Sequence, residues 1–177
     1  MFYGCTDLDN INLYSFNTIN CIDMSHMFEK CEKLKYLDLS SFRINKVIYM
    51  NKMFTDCIKL EEDFLKRVDF KQLQQLNLGG NKISDIKVLE KVDFKQLQQL
   101  NLSGNEISDI NVLERVDFKQ LQQLNLYHNK ISDIKLLEKV DFKQLQQLDL
   151  SSNQISDIKE NSSVIKYLKS KILEFIY

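Results

Sequence analysis

Hydrophobic residues recur at a fixed spacing through the second half of the chain. The phrase VDFKQLQQL begins at Val68, Val92, Val116 and Val140, always 24 residues apart. Within each copy the apolar positions follow the pattern L-x-x-L-x-L-x-x-N-x-I-x-x-I, which starts at Leu73 in the first copy. A period of this length predicts a solenoid, because one unit alone cannot bury its own apolar face.

The alternation of leucine and polar residues within each copy predicts a short strand. In the first copy Leu76 and Leu78 point inward, while Gln75, Asn77 and Gly79 point outward. Stacked strands would form a parallel sheet with about 4.8 Å between successive turns. An asparagine follows each strand, and its inward amide is expected to bond backbone groups of the neighbouring turns. These asparagines are Asn81, Asn105, Asn129 and Asn153.

An aspartate precedes a short apolar run in each copy, and we interpret it as the N-cap of a brief helix on the convex side. These aspartates are Asp85, Asp109, Asp133 and Asp157. A phenylalanine in each copy is expected to fill the core before the next strand. These are Phe70, Phe94, Phe118 and Phe142.

The first half of the chain uses a different period. Met1, Met27 and Met53 each begin the motif Met-Phe-x-x-Cys, and they lie 26 residues apart. We therefore predict two sets of repeats, over residues 1–62 and 68–160, in one continuous solenoid.

The junction and the C-terminus depart from both periods. Residues 63–67 are predicted to be an irregular seam, because the stretch from Leu60 to Leu73 is too short for a full turn. A helix or an atypical turn is expected over residues 63–70. Residues 161–177 are predicted to be a capping helix, since a solenoid needs its last open turn covered. Its amphipathic stripe consists of Val164, Ile165, Leu168, Ile172 and Phe175.

These motifs resemble known repeat families. Residues 68–160 resemble the leucine-rich repeat family, and the Ile-Ser-Asp-Ile ending of each copy resembles its internalin type, although the inserted Val-Asp-Phe-Lys departs from that pattern. Residues 1–62 resemble the BspA-like repeats of bacterial and protist surface proteins. The resemblance implies an α/β leucine-rich-repeat solenoid with a parallel sheet on the concave face and short helices on the convex face, and the repeat spacing gives about seven turns.

Charge and hydropathy exclude two classes of partner. Lys plus Arg number 24 against 25 Asp plus Glu, whereas a protein that binds nucleic acid normally shows a basic excess. No apolar run approaches the roughly 18 residues of a membrane span, so membrane insertion is not expected. The chain opens within a repeat motif instead of a secretory signal. We expect a cytoplasmic protein if Met1 is the true start, and a cell-surface protein if the sequence is a fragment of a longer BspA-like protein.

The cysteines and histidines are the residues that could indicate a metal or catalytic site. Cys5, Cys31 and Cys57 share one repeat position, but zinc sites usually show close pairs such as C-x-x-C, and none is present. A core ladder of small apolar thiols explains their spacing. His26 and His128 lie in different turns, and neither has a nucleophile at a recognisable motif spacing. We therefore expect no metal, no cofactor and no enzymatic activity.

The outward side chains of the predicted concave face are the candidate binding residues. Interface energy concentrates in a few large anchors, so the strongest candidates are Tyr14, Tyr36, Tyr127 and His128. The polar candidates beside them are Gln75, Gln99, Gln123, Asn77, Asn101, Asn125 and Asp149. An alternative for these polar residues is that they only hydrogen-bond along the sheet as solvated ladders.

The sequence predicts a non-catalytic scaffold, expected to be a monomer, that binds a protein partner of unknown identity through its concave face. Two alternatives stay open. Resemblance to BspA-like and internalin repeats implies a cell-surface adhesin. Resemblance to leucine-rich repeats in general is equally consistent with an intracellular regulatory subunit of a phosphatase-like enzyme.

Overall fold

A parallel β-sheet of six short strands organises the protein. The computed structural model describes residues 1–44, 46–50, 52–60, 72–155 and 161–177. Within these residues each strand pairs with the next one along the chain. The strands are Tyr49–Met50 (β1), Gln75–Asn77 (β2), Gln99–Asn101 (β3), Gln123–Asn125 (β4), Gln147–Asp149 (β5) and Glu174–Ile176 (β6). Each strand belongs to one turn of the solenoid, or rung, and the predicted parallel sheet is confirmed.

The register of the sheet follows the repeat period. Gln75 pairs with Gln99, and Gln99 pairs with Gln123, so each pair is one period apart. In β2 to β5 the middle residue is buried and its two neighbours are half-buried. Because side chains alternate between the two faces of a strand, the leucines enter the core and the Gln and Asn side chains face outward.

The register continues into both ends of the chain. Tyr49 pairs with Gln75, and a single parallel bridge joins Asp23 to Tyr49. At the other end Glu174 pairs with Gln147. Seven successive rungs therefore contribute one residue each to an outward line that we call the glutamine row. Its members are Asp23, Tyr49, Gln75, Gln99, Gln123, Gln147 and Glu174.

The junction between the two repeat sets has the length of an ordinary rung. Strands β1 and β2 begin 26 residues apart, which is the period of the first repeat set. The stretch from Leu60 to Leu73 is shorter than a full turn, as noted above, but the spacing of β1 and β2 shows that it is only part of one rung, so its length does not by itself require an irregular seam. The seam predicted at 63–67 and the helix predicted over 63–70 lie outside the described residues.

Three 3₁₀ helices lie within the described residues, about half a period after the strands. Half a period places them on the opposite side of the coil from the sheet, as predicted for the short helices. Their bounds are Lys87–Lys91, Asn111–Glu114 and Lys135–Glu138.

The N-caps predicted for these helices are one residue off. The residue before the first helix is Ile86, and not Asp85. The Asp85 carboxylate nevertheless accepts a hydrogen bond from the Lys87 N–H at 2.8 Å, because an aspartate readily bonds the backbone two residues on. Asp109 and Asp133 make the same contact. The fourth predicted cap, Asp157, lies outside the described residues.

The C-terminal segment forms a helix and then a strand. Helix α1 (Ser162–Lys171) begins where the sequence predicts and buries Val164, Ile165 and Leu168. It ends before the predicted stripe does, since Phe175 lies in β6 and pairs with Leu148. The prediction of one helix over 161–177 is therefore wrong. Pairing with β5 satisfies backbone groups that would otherwise stay at the sheet edge.

One hydrophobic core runs through all the rungs. Phe94 and Phe118 are buried in it with ring centroids 6.2 Å apart, as predicted, whereas Phe70 lies outside the described residues. Phe142 is only half-buried, because it borders a cleft of about 270 Å³ against Tyr167 of the cap. No helix among the described residues has both the length and the apolar character that a bilayer span requires.

Candidate binding surface

The asparagine row (Asn77, Asn101, Asn125 and Asp149) ends strands β2 to β5 on the outward face. The Asn77 Oδ1 atom accepts a hydrogen bond from the Gly79 N–H at 2.9 Å. The other three residues make the same contact with the N–H two positions on, each at 2.9 Å. Such contacts turn the chain out of the strand, as in Asx turns. These four candidate binding residues therefore have a structural task of their own.

The glutamine side chains lie side by side in the glutamine row. Gln75, Gln99 and Gln123 are half-buried, and they pair with one another across adjacent rungs. At the C-terminal end of the row the Gln147 Nε2 atom donates to the Glu174 Oε2 atom at 2.7 Å. Partly covered amides of this kind offer hydrogen bonds to a partner, but they provide little side-chain area for an anchor.

Tyr49 is an aromatic member of the glutamine row that was not predicted as a binding residue. It pairs with Gln75 and is 36% exposed. Counting one 26-residue period back from Gln75 would have identified it from the sequence.

Tyr127 and His128 interrupt a line of small residues at the end of β4. The same two positions in the other 24-residue rungs are Gly79–Gly80, Ser103–Gly104 and Ser151–Ser152. Tyr127 is 44% exposed, and its ring centroid lies 5.7 Å from that of His128. His128 has a φ of 52°, in the left-handed region that Gly80 and Gly104 also occupy. A side chain there costs about 1 kcal/mol, so the imidazole occupies a position that favours glycine.

Tyr14 and Tyr36 lie away from the six-stranded sheet. Tyr36 forms a separate parallel bridge with Asn10, and it precedes the sheet residue Tyr49 by half of the repeat period. Half a period places this bridge on the opposite side of the coil. The prediction that Tyr14 and Tyr36 share a face with Tyr127 is therefore wrong. The structure brings together the other predicted residues, on strands β2 to β5 and the turn after β4.

Asparagines inside the coil link the rungs of the second half. The Asn105 Nδ2 atom donates to the Leu78 carbonyl of the preceding rung at 3.0 Å and to the Leu102 carbonyl of its own rung at 2.9 Å. Its Oδ1 atom accepts a hydrogen bond from the Ile83 N–H at 3.1 Å. Asn129 repeats this pattern one rung later. The predicted role of these inward amides is confirmed.

Cysteines take the same position in the first half. The Cys57 Sγ atom donates to the Phe28 carbonyl at 3.0 Å, and Cys31 makes the equivalent contact one rung earlier. In both halves the acceptor lies one period and three residues before the donor. Cys57 therefore corresponds to Asn81 and Asn105, and its thiol is a structural donor.

The buried thiols are chemically quiet. Burial raises the pKa of the Cys57 thiol to about 12, and burial also raises the pKa of Cys31. A thiol becomes a nucleophile or a metal ligand only as the thiolate, which these pKa shifts disfavour. Within the ranges that the structure describes, no group of three His, Cys, Asp or Glu side chains is placed to hold a metal ion.

The chain matches two families of repeats. Residues 71–115 and 119–163, together just over half of the chain, match the family described as leucine-rich repeats in two copies. Residues 1–79 match the family described as Mycoplasma protein of unknown function, which is BspA-like. No curated protein matches the chain significantly.

Solved structures share the fold. Internalin C2 from Listeria monocytogenes is 22% identical with a TM-score of 0.54, over 85% of this chain and 74% of that one. A leucine-rich repeat protein of Leptospira interrogans is 24% identical with a TM-score of 0.54, over 85% of this chain and 44% of that one. This chain thus spans less than half of the Leptospira protein. The matched residues, the parallel sheet and the ladder of inward amides together show that the chain belongs to the leucine-rich repeat family.

Proposed function

We propose that the chain is a non-catalytic scaffold that binds a protein partner through the outward face of its sheet, with Tyr127 and His128 at the centre of the contact. Leucine-rich repeat proteins typically bind proteins, and no catalytic family matches the chain. The observation that carries the proposal is the replacement of small residues by this exposed aromatic pair on one rung. Gly104 and Ser152 take the same left-handed conformation at the equivalent position, so the aromatic side chains, and not the backbone, distinguish this rung.

The surroundings of the pair fit a binding surface. A shallow depression of about 180 Å³ lies beside it, lined by Gln123, Asn125, Gln147, Asp149 and Glu174. Its two carboxylates favour a partner that presents a Lys or Arg side chain, because complementary charge steers association and fixes orientation.

The polar rows and Tyr49 complete the proposed surface. Residues around a hot spot exclude water from it without adding much energy themselves, and the Gln and Asn side chains suit that role. Tyr49 lies three rungs from the strand that leads to Tyr127, about 14 Å away at the spacing of adjacent strands. It provides a second anchor on the same face.

The neighbouring rung supplies a matched variant that tests the proposal. The double substitution Tyr127→Ser with His128→Gly copies Ser103–Gly104, a sequence that this fold already accommodates. It should leave the melting temperature unchanged or slightly raised, since glycine relieves the left-handed strain. A partner that the wild-type chain captures by photo-crosslinking on the sheet face should bind the double variant at least about tenfold more weakly.

Tyr14→Ala is the control on the opposite side of the coil, and it should retain the partner. Unchanged capture by the double variant would remove Tyr127 and His128 from the contact. Equal loss with Tyr14→Ala would place the contact elsewhere on the molecule.

A further inference from the structure

A second depression lies on the side of the coil opposite the sheet, in the first two rungs. It has a volume of about 240 Å³, and its floor includes Ile11 and the buried Leu13. Its polar lining is formed by Asn10, Asn12, Tyr14, Tyr36, Asp38 and Ser40.

The repeat register explains how these side chains come together. Asn10 pairs with Tyr36 across one 26-residue period. The same offset places Asn12 beside Asp38 and Tyr14 beside Ser40. The two tyrosines therefore occupy diagonal ends of the depression, with their Cα atoms at most about 14 Å apart. The amide of Asn12 and the carboxylate of Asp38 lie between them.

Local hydrogen bonds hold the walls in place. The Asn12 Oδ1 atom accepts a hydrogen bond from the Tyr14 N–H at 3.0 Å, and the Asp38 Oδ1 atom accepts one from the Ser40 N–H at 2.8 Å. The Ser41 hydroxyl donates to the Leu13 carbonyl of the neighbouring rung at 3.2 Å. A lining ordered before binding loses less conformational entropy when a ligand enters.

The two rings that border the depression are unusually open to solvent. Tyr14 is 86% exposed and Tyr36 is 49% exposed. Each offers a flat apolar face and a hydroxyl group, a combination that suits a ligand with both C–H and O–H surfaces.

We propose that this depression binds a neutral oligosaccharide. Amide, hydroxyl and carboxylate groups can donate to and accept from the neighbouring hydroxyl groups of a sugar ring, while the tyrosine faces can stack on its C–H groups. Among the residues that the structure describes, the lining contains no Lys, Arg or His, so these residues offer no cation to a phosphate or to an acidic sugar. A depression of this volume can hold one or two sugar rings between the tyrosines.

The test uses the full chain and defined neutral probes: maltotriose, cellotriose, mannotriose and the trimer of N-acetylglucosamine. Binding can be followed by calorimetry and by tyrosine fluorescence, since the chain has seven Tyr and no Trp to dominate the signal. We expect at least one probe to bind. Tyr14→Ala and Tyr36→Ala should each weaken that binding at least about tenfold, while Tyr14→Phe, which keeps the ring, should retain most of it.

The variant Tyr127→Ser/His128→Gly separates this proposal from the one for the sheet face. It should leave oligosaccharide binding unchanged, because it alters the other side of the coil. Absence of binding to every probe would overturn the proposal. So would binding that Tyr14→Ala and Tyr36→Ala both leave intact, or a contact of Tyr14 and Tyr36 with a protein in place of a sugar.

Discussion

The two halves of the solenoid place different side chains at the position that links each rung to the preceding one. In the second half an Asn in the ladder makes several hydrogen bonds to two rungs, and the residue three positions before it is a Leu. In the first half a Cys makes one weaker bond, and the residue three positions before it is a Phe. The Phe rings of adjacent rungs stack, with centroids 6.3 Å apart for Phe28 and Phe54. At this position the first half thus uses stacked aromatic rings, and the second half uses buried hydrogen bonds.

Asn81 lies between the last cysteine at this position, Cys57, and the next asparagine, Asn105. Its Nδ2 atom donates to the Leu78 carbonyl at 2.7 Å, as in the later rungs. Its buried Oδ1 atom has no partner among the described residues, whereas the Oδ1 atoms of Asn105 and Asn129 each accept a backbone N–H from the rung before. An asparagine of the ladder therefore needs an amide-type rung before it to use all of its hydrogen bonds, and Asn153 at the far end makes the full set.

Removing the inward apolar side chains should have the largest effect. Phe54 and Leu102 occupy equivalent positions and are both buried. We expect Phe54→Ala to lower the free energy of unfolding by about 3–5 kcal/mol and Leu102→Ala by about 2–5 kcal/mol, as judged by urea denaturation. The exposed Leu173, changed to Ala, is the control and should cost almost nothing. A smaller loss for Phe54→Ala than for Leu102→Ala would contradict the greater contribution of packing at this position in the first half.

Exchanging the ladder residues should have the next largest effect. Asn105→Cys keeps a weak donor but leaves the Ile83 N–H without its acceptor, so we expect a loss of about 2–3 kcal/mol. Asn81→Cys should cost less, because the Oδ1 atom that it removes bonds no described residue. Thermal unfolding of both variants measures the difference. Equal losses would show that the acceptor role of the amide is unimportant.

The buried thiol of Cys57 should make stability fall at alkaline pH. Its folded pKa is raised from 9.0 to about 12, so the folded state favours the protonated thiol. The resulting stability is fully present below pH 9 and is lost as the pH rises toward 12, by about 1 kcal/mol per pH unit. Comparison of wild type with Cys57→Ala between pH 8 and 11 isolates this term from other titrating groups. At pH 8 iodoacetamide should modify the exposed Cys5 and spare Cys57, as read by mass spectrometry.

Removing the exposed ion pairs between rungs should have the smallest effect on stability, and the effect should be similar in the two halves. Lys130 bonds Glu106 at 2.6 Å and holds the pKa of Glu106 below 4.5, while Lys33 and Asp7 form the same kind of pair. A lowered carboxyl pKa adds stability above pH 4.5 that is lost as the pH falls below it. Glu106→Gln and Asp7→Asn should therefore be hard to distinguish from wild type, and salt should reduce the difference further. A large effect of either variant would make charge, and not packing or amides, the link between rungs.

Sequence reasoning predicted the solenoid well because its contacts join equivalent residues one period apart. Leu76 pairs with Leu100 and Leu100 with Leu124, and this register can be read from the repeat alone. The amide ladder was predicted for the same reason. The end of the cap at Lys171 was not predicted, because both a helix and a strand could bury the remaining apolar residues. The free edge of β5 decided in favour of the strand.

The candidate site was predicted only in part. The polar rows lie on the sheet, and Tyr127 lies in the turn after β4. The Leu-x-Leu patterns of the first half, from which Tyr14 and Tyr36 were assigned to the same face, lie on the opposite side of the coil. The period of the first half is two residues longer than that of the second half. The two extra residues of the first half lie just after the residues that pair in the sheet. Met50 and Phe54 are four positions apart, whereas Leu76 and Leu78 are two apart.

The sequence by itself determined the period, the inward residues and the kind of contact that links the rungs, because each of these repeats along the chain. Only the tertiary structure decided that Tyr14 and Tyr36 lie on the opposite side of the coil from the sheet. The face that an outward side chain joins depends on its position within the turn, and the first half has a turn geometry of its own, with left-handed backbone at His26 and Lys52.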